Sequence, residues 1–164
     1  PLRDRFGIPL QLEFYSPENL KEIITLNAKK LSILIEDSAA FEVAQRSRGT
    51  PRIAIRLLKR IVDFSVVEDS SHIGINTVLK SLEQMRIDNE GLDEMDRKYL
   101  RCISNDYNGG PVGVETLSAA LLEQRDIIED VIEPYLMQRG LVQRTSRGRI
   151  LSKKGQLHIN KEFK

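Results

Sequence analysis

Gly49-Thr-Pro-Arg52 carries the most pointed chemistry in the sequence. With Thr50 as N-cap and Pro51 as the first helical residue, Arg52 falls in the first turn, where a cation opposes the helix macrodipole by about 0.3–1 kcal/mol. The positive end of a helix beside a guanidinium suits a phosphate, so Arg52 is a candidate phosphate contact. The alternative is an exposed arginine whose small penalty is tolerated. Arg56, Lys59 and Arg60 continue on the same face and read as a solvated stripe. A second candidate is Arg144-Thr-Ser-Arg-Gly-Arg149, set between the apolar pairs Leu141-Val142 and Ile150-Leu151. Two short strands joined by a basic loop can place guanidinium groups on phosphates or in a minor groove. A solvated hairpin is the bland alternative.

Catalytic and metal chemistry find less support. No Gly-rich loop ends in Lys-Ser or Lys-Thr, so nothing cradles nucleotide phosphates in the P-loop manner. His72 and His158 are far apart and there is one cysteine, Cys102, which argues against a zinc site. Cys102 falls on the apolar face of an expected helix, where a buried inert thiol is the ordinary outcome. No catalytic and no metal-binding residue is therefore assigned, and the chain alone is expected to be inactive as an enzyme.

The 164 residues are 40% hydrophobic, enough for one core or two small ones. A lone cysteine forms no internal disulfide, and no apolar run of about 18 residues and no secretory signal pattern occur. A reducing cytosol fits these features, and no membrane partner is expected. The net charge of +1 hides an uneven distribution. Residues 91–138 are acidic, whereas from Arg139 onward eight cations face only Glu162. A basic terminal segment on a near-neutral protein is a candidate footprint for nucleic acid.

These residues need elements to position them. Leu10, Leu12 and Phe14 alternate with polar neighbours as a short strand does. Ser16 and Pro17 then start a helix of roughly five turns with Leu20, Ile23, Ile24, Asn27, Leu31 and Leu34 on one face. Further helices are expected near Ser38, burying Phe41 and Ala44, from Thr50-Pro51, and around Val78, Leu79, Leu82 and Met85, after a polar loop at 68–72. Ile87-Asp-Asn-Glu-Gly91 has no apolar period and reads as a connection. Beyond it come a helix with Met95, Tyr99, Cys102 and Ile103 inward, a break at 109–113, a short helix over 114–122, and a third with a capping-box start at Asp126 and Glu129. Three helices and a strand-loop-strand tail is the order of a winged helix. The third helix carries Glu129, Asp130 and Glu133, so the basic wing rather than this helix is expected to hold DNA.

Five blocks, LRDRFGIPLQLEFY, RGTPRIAIRLLKR, GGPVGVETLSAA, IEDVIEPYLMQRGLVQRT and RGR, occur here in the order in which similar blocks occur in the RuvB family, and together they span nearly the whole chain. The resemblance implies a mainly α fold in which residues 1–15 end the ATPase core region and form a hinge strand. Residues 16–85 are then an AAA+ helical lid, 86–91 a linker, and 92–164 a winged-helix DNA-binding domain with a short β wing. It implies an ATP-dependent DNA motor that drives branch migration of Holliday junctions, a homohexamer in the bacterial cytoplasm with RuvA and RuvC as partners. ATP and Mg would serve the parent protein, the Walker elements would precede Pro1, and the chain would be a fragment or an incomplete gene product. On matching positions Arg52 resembles the sensor-2 arginine, while Tyr15 and Arg5 belong to the nucleotide-binding set. DNA contacts fall on Arg125, Arg144 and Arg149. A stand-alone winged-helix regulator with an accessory helical domain, and a helical protein-interaction module, are the competing classes.

Overall fold

The computed structural model describes residues 13–67 and 72–162. The chain divides between Gln84 and Met85 into two compact units.

In the first unit helix α1 (Pro17–Lys30) starts where the sequence places it: the Ser16 hydroxyl accepts from the Asn19 amide at 3.2 Å and Pro17 occupies the first turn. Leu20, Ile24 and Ala28, each four residues apart, form its buried edge. The helix is shorter than the apolar spacing suggests. Leu31 caps it, and Leu34, expected on the same inward face, belongs instead to strand β1 (Leu34–Ile35) and is 73% exposed. Helix α2 (Asp37–Gln45) buries Ala39, Ala40, Val43 and Ala44 with Phe41 half-buried, and α3 (Pro51–Val67) contributes Ala54, Leu57, Leu58 and Ile61 to the core. Part of the expected polar loop at 68–72 forms strand β2 (His72–Ile73), which pairs in parallel with β1. Helix α4 (Ile75–Gln84) follows, with Val78 and Leu82 buried but Leu79 turned out. Glu36 joins these pieces: its amide donates to the Ile73 carbonyl at 3.0 Å and its carboxylate accepts from the Ile75 amide at 3.3 Å.

The alternation at 10–15 forms no strand over its described part, Glu13–Tyr15, and its remainder lies outside the described residues. The Tyr15 amide instead donates to the Gly49 carbonyl at 2.9 Å. Gly49 has φ +66, and a Cβ there would meet the Phe14 Cβ at 2.7 Å, so both the left-handed backbone and the Phe14 side chain favour glycine.

The second unit opens with α5 (Glu94–Arg101), held by a reciprocal capping box between Asp93 and Asp96 and continued by a π-helical turn (Cys102–Asp106). After the break comes α6 (Val114–Leu121). The third helical segment comprises α7 (Arg125–Ile127), a π-helical turn (Ile128–Ile132) and α8 (Glu133–Gln138). Asp126 is not its cap: Gln124 is, without a side-chain bond, and the Glu129 carboxylate accepts from Arg125 and Arg149 rather than from a backbone amide. Strands β3 (Val142–Thr145) and β4 (Gly148–Leu151) form an antiparallel hairpin, and Val112 adds a third short strand through paired bonds with Arg149. The expected six-residue basic loop thus shrinks to a Ser146-Arg147 turn. Helix α9 (Lys153–Glu162) closes the unit, with Ile159 buried in the same core as Tyr99, Leu117 and Leu136.

Candidate nucleic-acid interface

In the first unit the Thr50 carbonyl accepts the first helical bonds of α3, from Ile53 and Ala54, as an N-cap residue does. Its hydroxyl does not cap; it donates to the Arg48 carbonyl at 3.1 Å. Arg52 is exposed in the first turn, with no ion-pair partner among the described residues. It opens a groove of about 520 Å³ along α3, lined also by Ile55, Arg56, Lys59, Arg60 and Asp63. Tyr15, 48% exposed, is tied by its backbone to Gly49, three residues before Arg52. The backbone thus brings Tyr15 beside the turn that leads into Arg52. Arg5 lies outside the described residues.

In the second unit the hairpin register places Arg144 directly across from Arg149, on one face of the wing. Glu129 and Glu133, four residues apart, share one side of the helical segment that meets it. Arg149 donates through Nε to Glu133 at 2.7 Å and through Nη2 to Glu129 at 2.7 Å. Arg144 donates through Nη2 to Glu133 at 2.6 Å and lies 3.5 Å from Glu129. Arg125 donates to Glu129 and to Glu115, both at 2.9 Å. All three arginines expected at DNA thus meet one carboxylate, Glu129.

The network is graded by depth. Glu133 is fully buried and the Arg149 side chain 9% exposed, whereas Arg144 and Arg125 are 45% and 54% exposed. Burial pushes the Glu133 carboxyl up, but hydrogen bonds from Arg149, Arg144 and Tyr99 outweigh it and hold its pKa below the ordinary value. Tyr99 donates its hydroxyl to Glu133 at 3.0 Å; burial first, then that carboxylate, raises the phenol's pKa. The Glu129 carboxyl is lowered by Arg125 and then Arg149. Because the folded pKa of Glu133 lies below its unfolded value, its contribution to stability is complete above that unfolded value, about 4.3, and is lost as pH falls through the folded one. Unfolding free energy measured from pH 6 downward is therefore expected to drop more steeply in the wild type than in Glu133→Gln. Parallel curves would remove Glu133 from the acid response.

From the sequence, Glu129 reads as the capping partner of Asp126, and both Glu129 and Glu133 read as acids that repel phosphate. Their i, i+4 spacing, set beside the cross-strand pairing of Arg144 with Arg149, was the signal that could have matched them. Cys102 is buried, and burial and Asp106 push its thiol up to about 11. Among the described residues no group of three or more His, Cys, Asp or Glu can hold a metal ion, and no helix is long and apolar enough to cross a membrane.

The helix order and arginine-bearing hairpin of the second unit define a winged helix, preceded by a small helical unit of the kind that follows an AAA+ core. A family model described as RuvB AAA lid domain matches residues 15–88, and one described as RuvB C-terminal winged helix domain matches 89–160. The chain belongs to the RuvB family. It is 53% identical over 159 residues to the Holliday junction branch migration complex subunit RuvB of Paramagnetospirillum magneticum, and 55% identical over 161 residues to that of Gluconobacter oxydans. Each match covers 97% of this chain and 46% of the relative, so the chain spans about half the length of these curated proteins. The solved structure of the Thermotoga maritima RuvB Holliday junction branch migration motor superposes with a TM-score of 0.91 at 50% identity, covering 97% of this chain and 53% of that one.

Proposed function

We propose that this chain is the lid and DNA-binding portion of an ATP-driven motor that moves Holliday junctions during recombination and repair. The observation that carries the reading is the convergence of Arg125, Arg144 and Arg149 beside the wing of a winged helix. Arg144 and Arg125 are exposed enough to meet backbone phosphates, and Arg149, held from below, fixes the wing that presents them. Backbone contacts suit a translocating motor, because they position a protein without specifying sequence. At the other unit Arg52 reaches the phosphates of ATP and Tyr15 packs beside the nucleotide, with Arg5 completing the set. Residues outside this chain supply the phosphate-binding loop and the Mg ligands, so the chain alone turns over no ATP. A homohexameric ring, with RuvA holding the junction and RuvC resolving it, is the assembly this reading implies in the bacterial cytoplasm.

Salt titrations of binding to two unrelated duplexes test the DNA role. Arg144→Ala is expected to weaken both complexes alike and to reduce the salt slope by roughly 0.9, the counterion release of one phosphate contact. An unchanged slope rejects the wing contact, and a loss confined to one duplex indicates base reading by a regulator.

A further inference from the structure

We infer that Glu129 is a built-in competitor for backbone phosphate: its carboxylate occupies the position between the wing and helix arginines that a DNA phosphate takes over. The inference rests on the DNA-binding reading above and deepens it.

Glu129 lies 2.9 Å from Arg125 Nε, 2.7 Å from Arg149 Nη2 and 3.5 Å from Arg144 Nη2. No other described carboxylate joins the helical arginine to both wing arginines. Glu133 also meets two of these arginines, but it is fully buried and beyond the reach of a ligand. Glu129 is 23% exposed and lies where the network opens to solvent. Its partners keep donors in reserve: Arg144 bonds Glu133 through Nη2, which also lies 3.5 Å from Glu129, leaving Nε and Nη1 without a protein partner among the described residues. A carboxylate and a phosphodiester offer a guanidinium the same charge and similar paired acceptors. Holding the arginines on a carboxylate keeps them oriented before DNA arrives. It also sets the cost of each contact, because a phosphate must displace a bond already made. Contacts of that kind exchange readily, which a motor that releases one phosphate for the next requires.

Glu129→Gln keeps the shape and removes the charge. It is expected to tighten binding to a short duplex about three- to fivefold at about 0.1 M salt, the scale of one partly exposed ion pair. The salt slope should steepen by up to roughly 0.9, and dissociation should slow in proportion. Glu115→Gln, 74% exposed and bonded to Arg125, should act in the same direction and more weakly. Arg144→Ala is measured alongside. If it weakens binding while Glu129→Gln leaves affinity and slope unchanged or lowers them, the competitor role is overturned and the DNA reading stands. If Arg144→Ala has no effect, the DNA reading itself fails. Should Glu129→Gln lose its cooperative melt, Glu115→Gln decides alone, and no rise in its affinity overturns the inference.

Discussion

Replacing Arg149 by alanine is expected to destabilise the second unit by about 3 kcal/mol, because it strips one partner from a buried ion pair. Glu133 is fully buried, and without the two bonds from Arg149 it keeps only Arg144 and the Tyr99 hydroxyl. For a unit of this size the melting temperature should fall by more than about 10 °C. The double variant Arg149→Met with Glu133→Gln is expected to recover much of the loss. The amide oxygen still accepts from Tyr99, and no carboxylate charge is left buried. A melt unchanged by Arg149→Ala would mean that the guanidinium does not hold the wing. Any loss of DNA binding in that variant would then reflect direct contact. Duplex binding by Arg149→Ala is therefore informative only beside its melting curve.

Gly148→Ala should have a comparable effect through the backbone. Gly148 has φ +133, a conformation that L side chains rarely adopt, and an added Cβ would run into the backbone of Val112. The wing would have to lift from its third strand, breaking the bonds between Val112 and Arg149 at 2.8 and 3.0 Å. The expected cost is about 3 kcal/mol. Amide exchange offers the direct check: protection of the Arg149 amide should fall by about 100-fold or more, the equivalent of that free energy. Protection retained at the wild-type level would show that the wing absorbs the methyl group without moving.

Local signals explain what was legible in the sequence. Ser16 and Pro17 start a helix by capping chemistry that needs no tertiary partner, and the apolar period of Leu20, Ile24 and Ala28 reports its buried face directly. The same holds for Pro51 at the start of α3 and for the inward set of α5. The failures lie where long-range geometry decides. The pairing of Leu34 with His72 joins two-residue strands across a long intervening segment, and no alternation that short can announce itself. Glu129 looks like the capping partner of Asp126 when only its neighbours are considered. In the fold its carboxylate faces Arg125 and the two wing arginines instead, contacts set by long-range pairing that the local sequence does not show. The basic segment at 144–149 was visible as a nucleic-acid candidate, but composition could not reveal that Arg149 turns inward while Arg144 stays half-exposed.

The contact between Asp88 and His158 bears on how the protein is made. One Asp88 oxygen accepts the amides of Glu90 and Leu92, and the other lies 2.8 Å from His158 Nε2, 70 residues away. A residue near the start of the second unit is thus fastened to helix α9. On the ribosome the helices and the β1–β2 pair of the first unit are complete once α4 has emerged, whereas this clasp cannot close until α9 has been synthesised. The elements of the first unit are thus all available before the partners of this clasp can meet, an order that suits folding unit by unit during synthesis.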